Sequence, residues 1–338
     1  MDASPPAAPE PAAPQPAAPK HRPGFASLHW AQFAAVLLGV ALAFMVSGGG
    51  AAALWGKAVS VLSRQKTPHA LTSSDPELDR QQPQKQAEIL MERAVSHADE
   101  NPDQSGSQSR NQSGAQIEAQ IAAHVDAWRG HLQWDSELGD LTTVALNSSD
   151  ESVRASAIEV QLAAYGLGKN EATVEDLVRQ ADGHDHAKRI WALWALGLLG
   201  NRGVENDRIV QVLAAHLKES GKESDREQAE DSRRWAVEGL ALVGTTATIE
   251  PLLEAMHDDA SPIVRERAAC GLGESGMLSH RQRLIAVPQL IDYSDDPALD
   301  AQTHAWAFQA LADITQQHLP NDSAAWRKWY DTSGSNQQ

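Results

Sequence analysis

Three groups of residues carry types and spacings that chemistry could use. His184, Asp185 and His186 stand together in ADGHDHAKR, a grouping with some metal-binding character. A zinc site needs three or four ligands, and neither a second cluster nor a cysteine lies near to complete the set. The grouping therefore reads as the turn between two helices. Cys270, the single cysteine, sits among Ala, Gly and Leu and reads as a small buried apolar residue rather than a nucleophile, and no intramolecular disulfide can form. The third group is a series of tryptophans, Trp191, Trp235 and Trp306, at positions that prove to be equivalent. No G-x-S-x-G, G-x-x-x-x-G-K-[ST] or H-E-x-x-H motif occurs, and no His is followed by Glu. The expectation is a protein that is not an enzyme and has no cofactor or metal.

The equivalence comes from an internal repeat. Segments centred on Ala157, Ala192, Ala236, Ala268 and Ala307 align, at spacings of 35, 44, 32 and 39 residues. Three residues before that alanine stands Arg154, Arg189, Arg233, Arg265 or His304. Three after it comes Ala195, Gly239, Gly271 or Ala310, followed by Leu196, Leu240, Leu272 or Leu311. The first segment departs from this, with Val160 and Gln161. Each aligned helix follows another amphipathic segment and an acidic turn, such as IEPLLEAMHDD, so the unit is a helical hairpin whose apolar face is buried only by stacking on the next. Sustained apolar/polar alternation is missing, so the fold class is all-α: a solenoid of about five hairpins. One position before the alanine, the column runs Ser156, Trp191, Trp235, Arg267 and Trp306. It reads either as wedges between hairpins or as partner anchors on the concave face; Trp191, Trp235, Arg267 and Trp306 are the candidate binding set. The arginine column reads as structural. Trp194 reads as core.

The segment TIEPLLEAMHDDASPIVRERAACGLGESG resembles a HEAT repeat of the phycobilisome-lyase-like kind, and the looser pattern extends over residues 138–315. DITQQHLPNDSAAWRKWY resembles the closing segment of bacterial HEAT arrays, with Trp326 and Trp329 as a cover. The resemblance implies an α-solenoid that commonly binds proteins and implies no reaction; a lyase-type enzyme or accessory, or a cell-envelope structural protein, is the alternative.

Ahead of the repeats the composition changes. Residues 1–29 form a Pro/Ala-rich tail, and residues 30–56, bracketed by Trp30 and Trp55, hold a long uncharged apolar stretch of a length to span a bilayer. This reads as a retained signal anchor; an A-x-A pattern at Ala51 and Ala53 keeps a cleaved signal peptide open, and a buried helix of the soluble fold is the third reading. Basic residues flank both sides, so charge sets topology weakly, and an external C-terminal domain is the favoured arrangement. Residues 57–114 read as a polar linker with a short, isolated helix near 85–97, residues 115–331 as a monomeric α-solenoid of repeats with its C-terminal cap, and residues 332–338 as a tail. Asp and Glu number 45 against 28 Lys and Arg, and residues 115–331 hold 35 against 19, so the folded part carries the acidic excess. That surface disfavours nucleic acid and favours solubility or a basic protein partner.

Overall fold

The computed structural model describes residues 75–99, 113–220, 225–273 and 276–332. The Pro/Ala-rich tail, the apolar segment 30–56 with Trp30 and Trp55, most of the polar linker and the last six residues lie outside them. The described residues are helical, with no strand. Helix pairs follow one another as α1 (Pro83–Asp99) with α2 (Gly114–Trp128), α3 (Ser136–Leu146) with α4 (Glu151–Ala164), and α5 (Glu171–Ala181) with α6 (His186–Asn201). Then come α7 (Asn206–His216) with α8 (Arg226–Val243), and α9 (Ile249–Asp258) with α10 (Pro262–Leu272). A short α11 (His280–Arg283) leads to α12 (Val287–Tyr293) with α13 (Ala301–Thr315), and α14 (Ser323–Thr332) closes the chain.

The acidic turns of the sequence are helix starts. An unpaired N–H at a helix N-terminus needs an acceptor, and a short acidic or amide side chain supplies it. Asp135, Asp150, Asn170, Asp185 and Asp300 each accept from a backbone N–H in the first turn of the helix that follows. Ser113 does the same for α2 and is joined by Gln116 in a reciprocal capping box.

The second helices of the pairs form one layer in which α2, α4, α6, α8, α10 and α13 each pack on the next. Between α6 and α8 the approach is closest. A Cβ placed on Gly197 would lie 2.6 Å from the carbonyl oxygen of Gly239, and one on Gly239 would lie 2.6 Å from that of Leu193. Only hydrogen fits between these backbones. The small residue of the repeat pattern is thus required by helix contact, and one apolar core runs from Leu78 to Trp326.

The arginine column braces the turns. Arg154, Arg189 and Arg265 donate to the carbonyl oxygens of Ser148, Gly183 and Asp259, at 2.8, 2.6 and 2.8 Å. His304, in the same column, meets the carbonyl of Asp296 at 2.8 Å. Arg233 makes a forked pair with Asp259 at 2.7 and 3.2 Å, and Arg265 reaches Asp300 at 2.7 Å, so each ties its pair to the following one. Farther toward the N-terminus, Glu159 is 1% exposed and accepts from Lys169 Nζ at 2.8 Å and Arg202 Nε at 2.8 Å, while Arg202 also holds Glu118 at 2.8 Å. A buried carboxylate is tolerable when its charge is matched and its oxygens are bonded, as here.

Two sequence expectations need correction. The helix near 85–97 is not isolated: α1 packs on α2, α3 and α4, and Ala87, Leu90, Met91 and Ala94 are buried. Trp128 donates to Gln86 at 2.8 Å across that contact. The packed array therefore starts before residue 115 and includes an N-terminal pair, α1 with α2, beyond the hairpins the repeat alignment recognised. The polar run after α1 hid this, because a linker between two helices of one pair has the same composition as a linker between domains. At the other end α14 packs on α12; Trp326 is buried, donates to the carbonyl of Pro320 at 3.1 Å, and meets Trp329 edge to face.

The glycine contact yields a test whose sign differs from the usual one. Gly→Ala in a helix interior ordinarily stabilises by about 1 kcal/mol. Gly239→Ala should instead destabilise by roughly 1–3 kcal/mol, because the new methyl meets backbone that cannot turn aside. A thermal melt of the variant should show a lower midpoint; a higher one would mean that α6 and α8 separate freely.

His257 gives a pH test. It reaches Asp296 at 3.1 Å across the junction of the last two pairs and also contacts Asp258; the Tyr293 ring lies beside it, tilted by 40°, and His304 and Glu254 face the same group of charges. Asp258 and then Asp296 raise the His257 pKa against the opposing effect of burial. The Asp296 carboxyl is lowered, by the Ala298 N–H first and His257 next. A raised histidine contributes stability below its unfolded pKa and loses it as pH rises through the folded one; a depressed aspartate contributes above its unfolded pKa and loses it as pH falls. The bridge is at full strength between roughly pH 4 and 6.5. Melting midpoints of wild type and His257→Gln should converge as pH rises from 6 to 8, and a constant gap would remove the bridge from the account.

Candidate functional site

The column of candidate anchors lies on the second-helix layer, and its members have different surroundings. Trp235 on α8 is 4% exposed, with the Arg234 guanidinium 5.5 Å from its ring centroid. A partner has no surface of Trp235 to grip, so its place in the candidate binding set is corrected: it is a core residue covered by its neighbour. Ser156, its equivalent on α4, is fully buried. Trp191 on α6 and Trp306 on α13 are half-buried and pack by one side against the core. Arg267 on α10 is half-buried and lies 3.5 Å from Glu238 on α8.

Trp191 belongs to an aromatic cluster that the repeat alignment did not foresee. Tyr165, at the end of α4, sits 4.9 Å from Trp191 and 5.4 Å from Trp194 between ring centroids, both edge to face, and stacks on Trp134 at 5.4 Å. Trp194 is buried, as its position nearer the small-residue face suggested. Tyr165 and Trp134 lie outside the aligned positions, at a helix end and in the turn before α3, so no periodicity points to them. Burial raises the Tyr165 hydroxyl pKa and keeps it neutral.

The remaining ionisable groups of this layer are held by local interactions. Burial raises the Glu238 carboxyl, with Arg267 and Arg234 opposing the shift. Burial also pushes the Cys270 thiol up to about 12, which leaves very little thiolate at neutral pH. Asp185 caps α6 by accepting from the Lys188 N–H, His186 reaches Asp231 on α8 at 3.4 Å, and His184 is exposed in the turn. Among the described residues no group of three or more His, Cys, Asp and Glu side chains is arranged to hold a metal ion.

A second surface feature comes from the long interval between Ala192 and Ala236. The extra residues lengthen the start of α8: Arg233 is its eighth residue, whereas Arg189 and Arg265 are the fourth of α6 and α10. The added turns wall a cleft of about 720 Å³ where α7 and α9 end and α8 and α10 begin. Glu219, Glu230, Glu254, Asp258 and Asp259 line it, together with Lys218, Arg226 and Arg233. The spacing of 44 is the signal; by sequence the charged residues 218–232 read as a solvated loop or helix extension before a contact site, and only the packing of the next pair makes a cleft of them.

Comparison with known proteins agrees with the repeat geometry. No curated protein matches the chain. Residues 232–258 match the family described as PBS lyase HEAT-like repeat. The matched stretch runs from Ser232 in α8 to the end of α9, so it lies mostly one helix earlier than the segment in which the sequence pattern is sharpest. It includes Gly239, whose contact with α6 sets the stacking distance, and Arg233, whose pairing with Asp259 joins two pairs. The match of this one segment to a PBS lyase HEAT-like repeat, on helices whose pattern recurs along the array, supports a HEAT-repeat assignment.

Proposed function

We propose that this protein is a membrane-tethered scaffold that binds a partner protein on the second-helix face of its HEAT array. The observation that carries the reading is the contrast within one column: Trp235 is sealed in the core, while Trp191 and Trp306, at equivalent positions, keep an open side. Half-buried tryptophans offer a large apolar contact that is already held in one rotamer, so a partner gains area at little entropic cost. Arg267 lies between them in the column and adds a planar donor group at the same face. Most other charged groups of the repeat pattern are committed to caps and braces, which leaves this layer as the surface available for recognition.

The tether rests on residues 30–56. Among the described residues no helix is long and apolar enough to cross a membrane, so the proposal assigns that task to the uncharged stretch between Trp30 and Trp55. The array then lies on the far side of the bilayer from the Pro/Ala tail, in the external compartment, on a polar spacer. A lyase-type activity finds no support in the cysteine, whose thiol burial keeps protonated.

The test uses full-length protein extracted in detergent. Partners retained on immobilised wild type are identified, and their affinity is measured against Trp191→Ala with Trp306→Ala, and against Trp235→Ala. The double variant should weaken the retained partner by about 2 kcal/mol or more with a modest change in melting midpoint. Trp235→Ala should lower the midpoint strongly, since truncating a buried aromatic costs roughly 3–5 kcal/mol of stability. Equal affinity of the double variant and wild type would sink the proposed face.

A further inference from the structure

The acidic turns are joined from pair to pair by two kinds of cationic side chain. Arginines join them permanently, since a guanidinium keeps its charge at any pH the fold meets. Histidines join them conditionally. His216 and His257 each lie in the last turn of a first helix, α7 and α9. In His216, Nδ1 meets Glu219 and Nε2 lies 3.5 Å from Asp182, in the turn of the preceding pair. In His257, Nδ1 meets Asp258 and Nε2 lies 3.1 Å from Asp296, in the turn of the following pair. Both ring nitrogens of each histidine therefore face a carboxylate oxygen. A neutral imidazole has one N–H and one bare lone pair, so it satisfies one carboxylate and repels the other, whichever tautomer it adopts. Only the imidazolium donates to both.

The surrounding groups leave that requirement in place. Beside His216, which is 6% exposed, Arg189 of α6 shares Glu219 at 3.6 Å and Arg233 of α8 donates to the Glu219 carbonyl at 3.1 Å. Beside His257 lies Tyr293 of α12, which Glu250 and Glu254 of α9 also face, while His304 of α13 binds the Asp296 carbonyl at 2.8 Å. Both histidine junctions fall between Trp191 on α6 and Trp306 on α13. The first joins the α5/α6 turn to α7, and the second joins α9 to the turn before α13.

We propose that His216 and His257 form a pH-sensitive stitch that fixes the geometry of the second-helix face between Trp191 and Trp306. The inference rests on the scaffold reading and adds regulation to its binding face. When the rings lose a proton, the two turns part, while the glycine contact of α6 with α8 stays closed, so neighbouring pairs loosen without unfolding. A partner that grips both tryptophans must then order the face again, which weakens its binding. For His257, whose pKa Asp258 and then Asp296 raise, the contribution is complete below the unfolded value of about 6.5 and is lost as pH rises through the folded one.

The test uses the full chain in a neutral detergent at pH 5.5 and 8.0. Hydrogen exchange, corrected for its intrinsic pH dependence, should be about three- to fivefold faster at pH 8.0 in the last turns of α7 and α9. His216→Gln with His257→Gln should show the faster exchange at both pH values. Because His216 is buried, Asp182→Asn gives a second route through a side chain that is 68% exposed. A neutral ring can accept from that amide while donating to Glu219, so the response should vanish in α7 and persist in α9. His131→Gln with His280→Gln, at two exposed histidines, should keep the wild-type response. Spin labels at Ala187→Cys on α6 and Gln309→Cys on α13, with Cys270→Ser, read the face itself: their distance distribution should broaden at pH 8.0, and should be broad at both pH values once the two histidines are replaced. Equal exchange at the two pH values in wild type, a response kept by the double histidine variant, or an unchanged label distribution overturns the stitch. The scaffold reading is judged separately, since partner retention that depends on Trp191 and Trp306 in a chain without the pH response sinks this inference and leaves the scaffold standing.

Discussion

The contact between Gly197 and Gly239 is the constraint on which the array depends. With no Cβ on either side, the backbones of α6 and α8 approach until each carbonyl fills the space a methyl would take. That approach sets the spacing of the second-helix layer at its centre and brings Leu193, Leu196, Leu240 and Val243 into one buried surface. A repeat protein has no single nucleus to which every element reports; each pair is held by its neighbours. The tightest junction therefore limits what the flanking pairs can do. Gly200, one turn farther along α6, would likewise place a Cβ 2.8 Å from Val243, so the close approach extends along the crossing rather than at one point.

Polar groups complete what the glycines begin. The same acidic turns serve twice, once as caps for the helices that follow and once as acceptors for the arginine column. Asp300 shows both uses: it caps α13 by accepting from the Thr303 N–H, and it receives Arg265 from the preceding pair at 2.7 Å. Such a turn cannot be neutralised without loosening two helices and a junction together. Glu159 plays a comparable part between the earlier pairs, where Lys169 and Arg202 converge on it from different connections. Much of the acidic excess is thus architectural.

The functional surface was only partly legible. The tryptophan column could be counted in the sequence, yet its members are unlike in the fold, because exposure depends on what the adjacent helix places over them. Trp235 is buried in the core with the guanidinium of its own helix neighbour Arg234 beside the ring, whereas Trp191 and Trp306 keep an open side. Tyr165 and Trp134 join Trp191 although neither occupies a repeat position. The cleft needed both the lengthened α8 and the α9/α10 junction.

By itself, the sequence determined the all-helical class, the hairpin repeat, the need for small residues at the crossing and the structural duty of the arginines. These follow from local periodicity and from spacing, which the chain carries in every repeat. Its polar run after α1 concealed the N-terminal pair, since composition distinguishes packed from solvated chain but cannot say whether a linker separates domains or joins two helices of one pair. Tertiary structure decided that α1 belongs to the array, that Trp235 is core while Trp191 and Trp306 keep an open side, and that five carboxylates meet in a cleft. The physical reason is common to all three. Burial is a property of neighbours, and in a stacked array those neighbours come from the preceding and following pairs, far away in the chain, as Arg233 and Asp259 are at a separation of 26 residues.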